Sequence, residues 1–205
     1  MPWYSYIYYM NPLLPKKRFL SINPDILIQG CRQNDLQSQE QLYKLYYPDM
    51  IKICYRYAKD ADGAGTIYNN AMLKVFKSIT GYQEQGKLSG WIKTIVVNSC
   101  IDFCKQQQLF APLDTYQYAE EVSILPQVFN TVSAKEIQQL LKYLPGATAA
   151  VFNMYVYEGF THKQIGNLLG ISDNTSKWHV CEAKKILKLK LEKISETEFK
   201  TNAAG

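Results

Sequence analysis

The sequence predicts an all-α protein: two small helical domains joined by an extended acidic linker. Three observations carry this. Apolar residues recur at three- and four-residue steps from Asp25 to about Gln107, and again from Ser133 to Leu191. No strand-like alternation interrupts them, since Val96-Val97 is too short and wrongly flanked. Residues 109–132 lose the period and contain Pro112 and Pro126.

The elements follow in order. Residues 1–19 carry Trp3, Tyr4, Tyr6, Tyr8 and Tyr9 ahead of Pro12 and Pro15, and are expected to form an aromatic tail, poorly ordered unless covered. Asp25 can cap a helix beginning at Ile26. A second helix carries Leu42, Leu45, Tyr46, Ile53 and Tyr57, and Pro48 is expected to bend or interrupt it. A third runs through Ile67, Ala71, Val75 and Ile79 to Gly81. Tyr82–Gly90 reads as a loop, and Ser89 is expected to open a fourth helix over Trp91–Gln107. Trp91 is assigned to the core. After the linker, Ser133 can cap a helix over Ala134–Tyr143. Pro145 and Gly146 break it, and Ala147–Tyr157 forms another, ended by Gly159. The resulting division is 1–19, 20–108, 109–132, 133–195, and a C-terminal tail, 196–205.

Composition narrows the function. With 47% hydrophobic residues in 205, the chain is not wholly disordered. No apolar run reaches the length of a membrane span, no secretory signal is evident, and a cytoplasmic location is expected. The five cysteines are odd in number and scattered, which suits reduced thiols. Cys100 and Cys104 share a helix face but lack further ligands, so no metal or other cofactor is expected. The net charge of +5 is unevenly spread. Residues 1–110 carry 13 basic and 8 acidic side chains, 111–133 carry none and three, and 134–205 carry 10 and 7. Two basic blocks around an acidic connector suggest modules that face polyanions. No nucleophile–base pair, phosphate loop or metal cluster is evident, so an enzyme is not expected.

The sharpest local signal spans Thr161–Leu191. Thr161 and Gln164 fit a capping box. Ile165, Leu168 and Leu169 point inward, Gly170 supplies a left-handed stop, and Ser172 caps the next helix. Asn174, Thr175, Lys177, Trp178 and His179 lie near the start of that helix, with Ile186 and Leu187 on its inner face. This is the pattern of a helix-turn-helix whose second helix enters the major groove. Lys177 suits a phosphate or a guanine edge, and Thr175 and His179 suit backbone or base. The lysines at 184, 185, 188, 190 and 193 read mainly as a solvated face.

These residues carry a resemblance. Leu144-Pro145, Tyr157-Glu158-Gly159-Phe160-Thr161, Ile165-Gly166, Leu169-Gly170-Ile171-Ser172 and Thr175-Ser176-Lys177-Trp178-His179 resemble region 4 of extracytoplasmic-function (ECF) sigma factors of the sigma-70 family, in a form similar to Bacteroidetes-type versions. Leu27-Ile28-Gln29-Gly30-Cys31, Asn34-Asp35 and Leu42-Tyr43-Lys44-Leu45-Tyr46 resemble the opening of region 2. Trp91-Ile92-Lys93-Thr94-Ile95-Val96-Val97-Asn98 and Ile101-Asp102-Phe103 resemble its promoter-facing helix. The resemblance covers about residues 20–195.

It implies a protein that binds bacterial core RNA polymerase, directs it to promoter DNA and assists melting. Region 4 would read the −35 element through Asn174, Thr175, Lys177, Trp178 and His179. Region 2 would capture a flipped −10 base near the loop Thr80–Gly90, with Tyr82, Lys87, Lys93, Asn98 and Lys105 as candidates. The acidic linker would thread the polymerase's basic channel.

The sequence also departs from the family. Where the core-docking helix is usually acidic, this chain reads Gly63-Ala64-Gly65-Thr66-Ile67-Tyr68-Asn69-Asn70. Four carboxylates are missing, and the two glycines are expected to fray the helix start by about 1 kcal/mol each. Asp60, Asp62, Asn69 and Asn70 are the docking candidates that remain. Val97 stands where Arg is frequent, and the basic end of the helix is reduced to Lys105. These losses suggest a DNA-targeting partner that recruits the protein, with the aromatic tail as its docking surface. An anti-sigma factor is a further expected partner. The rival readings are a helix-turn-helix regulator acting without core polymerase and an inactive sigma-like adaptor.

Overall fold

The computed structural model describes residues 24–58, 60–83, 87–107 and 140–202. The aromatic tail, the linker and the cap at Ser133 lie outside them. Among the described residues every regular element is helical: α1 (Pro24–Arg32), α2 (Leu36–Tyr57), α3 (Ala61–Ser78), a 3-10 turn (Ile79–Gly81), α4 (Leu88–Gln106), α5 (Gly146–Val156), α6 (His162–Leu169) and α7 (Asp173–Asn202). The all-α expectation is met. No helix among them is long and apolar enough to cross a membrane.

Helices α1 to α4 form the N-terminal bundle. Pro24 takes the first helical position of α1, where its missing N–H costs nothing, so Asp25 sits in the first turn instead of capping it. Asp35 caps α2, accepting from the Ser38 amide at 2.8 Å. Pro48 does not interrupt α2, which runs continuously for 22 residues. Tyr47, Pro48 and Asp49 are all exposed, so the proline lies on the solvent side of the helix.

The glycines do not fray α3 either. Asp60 caps the helix ahead of both, accepting from the Gly63 amide at 2.7 Å. A Cβ at Gly63 would lie 3.1 Å from the Ala58 Cβ and 3.3 Å from the Phe103 ring. Gly63 is therefore where α3 passes close to its neighbours. Helix α4 starts at Leu88, before Ser89, because Leu88 is itself buried in the core. Lys87 occupies its cap position without a side-chain bond.

The bundle closes around Leu42, Ile67, Met72, Ile79, Ile92 and Val96, all essentially inaccessible. Each such side chain contributes about 1.5–3 kcal/mol. Tyr68 is equally buried, and its hydroxyl donates to the Tyr43 carbonyl at 2.7 Å. Arg32 fastens the 3-10 turn by donating to the carbonyl of Tyr82 at 2.6 Å. Cys31, Cys54, Cys100 and Cys104 are buried free thiols. Burial pushes Cys104 up to about 12 and Cys31, with help from the Asp35 charge, up to about 11.

Helices α5 to α7 form the second unit. Leu140, Leu141, Leu144, Phe152, Ala183 and Leu187 make a core of their own. Val151, Met154, Ile165, Leu169 and Val180 join a core continuous with the N-terminal bundle. The two units are thus packed together, with α5 against α2.

Candidate nucleic-acid interface

The helix-turn-helix is built from its caps. The Gln164 amide donates to Thr161 Oγ1 at 3.2 Å, and the Thr161 amide donates to Gln164 Oε1 at 2.9 Å, completing the capping box. Gly170 ends α6 at φ 71°, ψ 33°, the left-handed conformation the turn requires. Gly166 serves a different need: a Cβ there would lie 2.7 Å from the Ile171 carbonyl oxygen. Ser172 Oγ then accepts from the Thr175 amide at 3.0 Å and opens α7.

These bonds decide which side of α7 faces outward. Thr175, Ser176, His179, Val180, Ala183 and Leu187 are buried. Ser176 Oγ lies 2.9 Å from His162 Nδ1, joining α6 to α7, and His162 stacks on Tyr155 at 4.5 Å. Burial, then the Lys177 and Lys184 charges, lower the His162 pKa. Thr175 turns its hydroxyl back to Ser172 Oγ at 2.8 Å. Burial lowers His179 to about 4.

Of the five residues expected on the DNA face, the structure therefore brings three together. Asn174 and Lys177 are exposed and Trp178 is half-exposed, while Thr175 and His179 belong to the inner face. This corrects the sequence reading for those two. Lys185 and Lys188 continue the exposed stripe two and three turns beyond Lys177. Their helical spacing was the signal, outweighed by the general rule that lysines line solvated faces.

The second set divides similarly. Asn98 and Lys105 are exposed two turns apart on α4 and so share a stripe, and Lys87 is exposed at the cap ahead of the helix. Tyr82 does not reach a surface: only 8% of it is exposed, and its ring lies 4.9 Å from Trp91. Trp91 is partly buried against the core, as expected. Lys93 points to another side of α4, where its Nζ lies 2.9 Å from Glu158 Oε2. Glu158 also accepts from Arg56. The Arg56 guanidinium lies 4.7 Å over the Tyr157 ring, and Asn153 Nδ2 donates to the Arg56 carbonyl at 2.6 Å. None of these partners was legible in the sequence, because they are 97 to 102 residues from Arg56.

On α3, Asp62 and Asn70 are exposed, but Asp60 is committed to its cap. Asn69 Oδ1 accepts from the Tyr43 hydroxyl at 2.7 Å. Tyr43, Tyr47 and Tyr68 form an aromatic group beside it, with ring centroids 4.8 to 6.1 Å apart. Asp62 thus stands exposed at the start of α3, while Asn69 and Asn70 lie beside a partly aromatic group.

Comparison with known proteins agrees with this arrangement. Residues 42–110 match the family model for sigma-70 region 2, and residues 134–187 match that for sigma-70 region 4. The chain is 22% identical over 153 residues to the ECF RNA polymerase sigma factor SigM of Mycobacterium tuberculosis, covering 73% of this chain and 75% of that protein. It is 21% identical over 146 residues to the RNA polymerase sigma factor SigV of Bacillus subtilis, covering 71% and 86%. The ECF RNA polymerase sigma factor SigW of Bacillus subtilis is 22% identical over 176 residues, covering 80% and 94%.

Proposed function

Because this chain belongs to the sigma-70 family as an ECF sigma factor acting in transcription initiation, we propose that its two regions divide the promoter along the lines of their exposed stripes. Residues 20–108 serve as region 2, 109–132 as the linker and 133–195 as region 4. Region 4 reads the −35 element with Asn174, Lys177 and Trp178, while Thr175 and His179 hold the helix in place. Region 2 engages the −10 element with Lys87, Asn98 and Lys105. Lysines there attract the backbone, and Asn98 supplies a donor and an acceptor for a base.

The observation that carries this reading is the stripe on α7. A helix whose inner face is fully occupied by its own fold presents Asn174, Lys177, Lys185 and Lys188 outward. That arrangement suits phosphate and major-groove contact better than any small-molecule site.

Core polymerase docking falls to the α3 face, through Asp62, Asn69 and Asn70. Asp60 contributes through the helix it caps. With so few charges, this face supports a weaker or differently built contact than an acidic one. A DNA-targeting partner that recruits the factor would offset the difference, and an anti-sigma factor would compete for the same surfaces. The protein works in the cytoplasm, where the polymerase and the promoter are.

The test is capture of core polymerase from the native host by the tagged full chain, followed by run-off transcription from the captured complex. Promoter-dependent transcripts are expected. Specific duplex binding with no capture of core would favour the regulator instead. Capture without transcripts would favour a missing recruiting partner or the adaptor.

A further inference from the structure

We propose that the tyrosine-lined groove between α2 and α3 is a docking site for a polyproline-type segment, and that its occupant is this chain's own residues 11–18. The match of chemistry carries this, and it does not depend on the sigma-factor reading.

Residues 11–18 lie outside the described residues, and they read Asn11-Pro12-Leu13-Leu14-Pro15-Lys16-Lys17-Arg18. Prolines three apart favour the polyproline II form, which has three residues per turn. In that form Pro12, Pro15 and Arg18 line one edge at steps of about 9 Å. Such a helix makes no internal hydrogen bonds, so its carbonyls are open to outside donors, and its prolines dock in aromatic-lined grooves.

The groove supplies each of these needs. Tyr43 and Tyr47 stand one turn apart on α2 with ring centroids 6.1 Å apart, and both lie against the buried Tyr68 of α3. Tyr47 keeps 38% of its surface exposed, so the group presents aromatic surface outward. Opposite them, Asn69 Oδ1 accepts from the Tyr43 hydroxyl, which leaves the Asn69 amide nitrogen as a donor. Asp62 is exposed two turns before Asn69 on the same face of α3, about 10 Å along the helix. Asp60, exposed at the cap, adds a second carboxylate at that end. With Pro12 and Pro15 against the tyrosines, Arg18 falls about 9 Å beyond Pro15, at the carboxylates. The segment carries three cations and no anion, so the charges are complementary.

Attachment adds to the match. Residues 19–23 tie the segment to α1, which packs on α2. A short flexible tether gives an effective concentration of about 1 mM, so an intrinsic dissociation constant of about 0.1 mM keeps the groove about tenfold more covered than open. A protein that uses this face has to displace residues 11–18, and its apparent affinity falls about tenfold. If core polymerase docks on α3 as proposed above, the segment sets a threshold for that docking.

The test uses the full chain without polymerase. A benzophenone amino acid replaces the exposed Asn70, next to Asn69. On illumination it should attach within the same chain to residues 11–18, as mapped by peptide mass spectrometry. Pro12→Ser, Pro15→Ser and Arg18→Ser together, all outside the described helices, should cut that adduct about fivefold or more. Absence of the adduct in the parent chain would overturn the inference, as would an adduct that survives the triple substitution. An adduct that grows with protein concentration would overturn it in favour of a second copy. A fluorescent peptide of residues 9–20, read by anisotropy up to about 1 mM, should bind the triple variant about tenfold more tightly than wild type. Equal binding would show that the groove is not occupied by its own segment. No binding to the triple variant would show that the tether cannot keep the groove covered. Either result overturns the proposal. Adding Tyr47→Ala, at an exposed position, should abolish peptide binding by the triple variant and leave its melting temperature within about a degree. Binding retained in full would refute the tyrosine site. Polymerase and transcription do not enter these readouts, so failure here leaves the sigma-factor reading untouched.

Discussion

Thr148 Oγ1 lies 3.0 Å from His179 Nδ1, a hydrogen bond that joins α5 to the inner face of α7. It places an imidazole in the interior of the second unit, where only the neutral ring is tolerated. The His179 pKa falls to about 4 in the folded protein, against an ordinary value of 6.5. The unfolded chain therefore binds more protons between those values. Stability from this group is complete above pH 6.5 and is lost as the pH falls from there toward 4. Thermal melts across that range should show the midpoint falling with pH, and His179→Gln should flatten part of the slope. Equal slopes in both proteins would rule out a buried, neutral His179.

Two glycines should respond in opposite directions to the same substitution. Gly166→Ala would set a Cβ 2.7 Å from the Ile171 carbonyl oxygen, and the turn would have to shift. A loss of about 1–3 kcal/mol is expected. Gly90 sits in the first turn of α4 with nothing within 4 Å of a new Cβ. Gly90→Ala should stabilise by about 0.4–1 kcal/mol through the lower entropy of the unfolded chain. Denaturant titrations of the two variants give the signs directly.

Lys177 is exposed on α7, whereas His179 and Thr175 are interior. Lys177→Ala should leave the melting temperature unchanged within about a degree and cut the promoter affinity of the holoenzyme. If its contact is to phosphate, the slope of affinity against log salt should fall by about 1, with little change in sequence preference. If its contact is to a guanine edge, one −35 position should lose discrimination by about 1–3 kcal/mol. Competition binding on a −35 library separates these cases.

Asp60 has two claims on it, the α3 cap and the polymerase. Asp60→Asn preserves a good cap, and Asp60→Ala removes it at a cost of about 1 kcal/mol. If Asp60 acts only as a cap, Asn should match wild type in stability and core affinity, and Ala should weaken both. Selective loss of core affinity in the Asn variant would assign its charge to docking.

Much of this architecture was legible in the chain. The capping box at Thr161, the left-handed Gly170 and the Ser172 cap are local chemistry, and the structure contains each one. Pro48 does not interrupt α2, nor do the glycines fray α3, for the opposite reason. A residue's intrinsic cost says nothing of the solvent beside Pro48, the Asp60 cap or the close approach at Gly63. The candidate site was less legible. Residues near the start of α7 were grouped by sequence, but a helix turns 100° per residue, so neighbours such as Lys177 and His179 face different ways. Lys93 fell out of its set because its partner, Glu158, is distant in sequence and adjacent only in the fold.

Helix α7 runs 30 residues from Asp173 to Asn202, well past residue 187, where the region 4 match ends. At 1.5 Å per residue it is a rod about 45 Å long. On the proposed reading, its N-terminal end lies in the groove and carries the rest of the rod with it. A tilt of about 10° at the reading end sweeps the far end through about 8 Å. If α7 reads the promoter as proposed, its C-terminal end is a lever arm: a bulky group attached there would be felt as rotation at the bases, and a label placed there would report the reading angle.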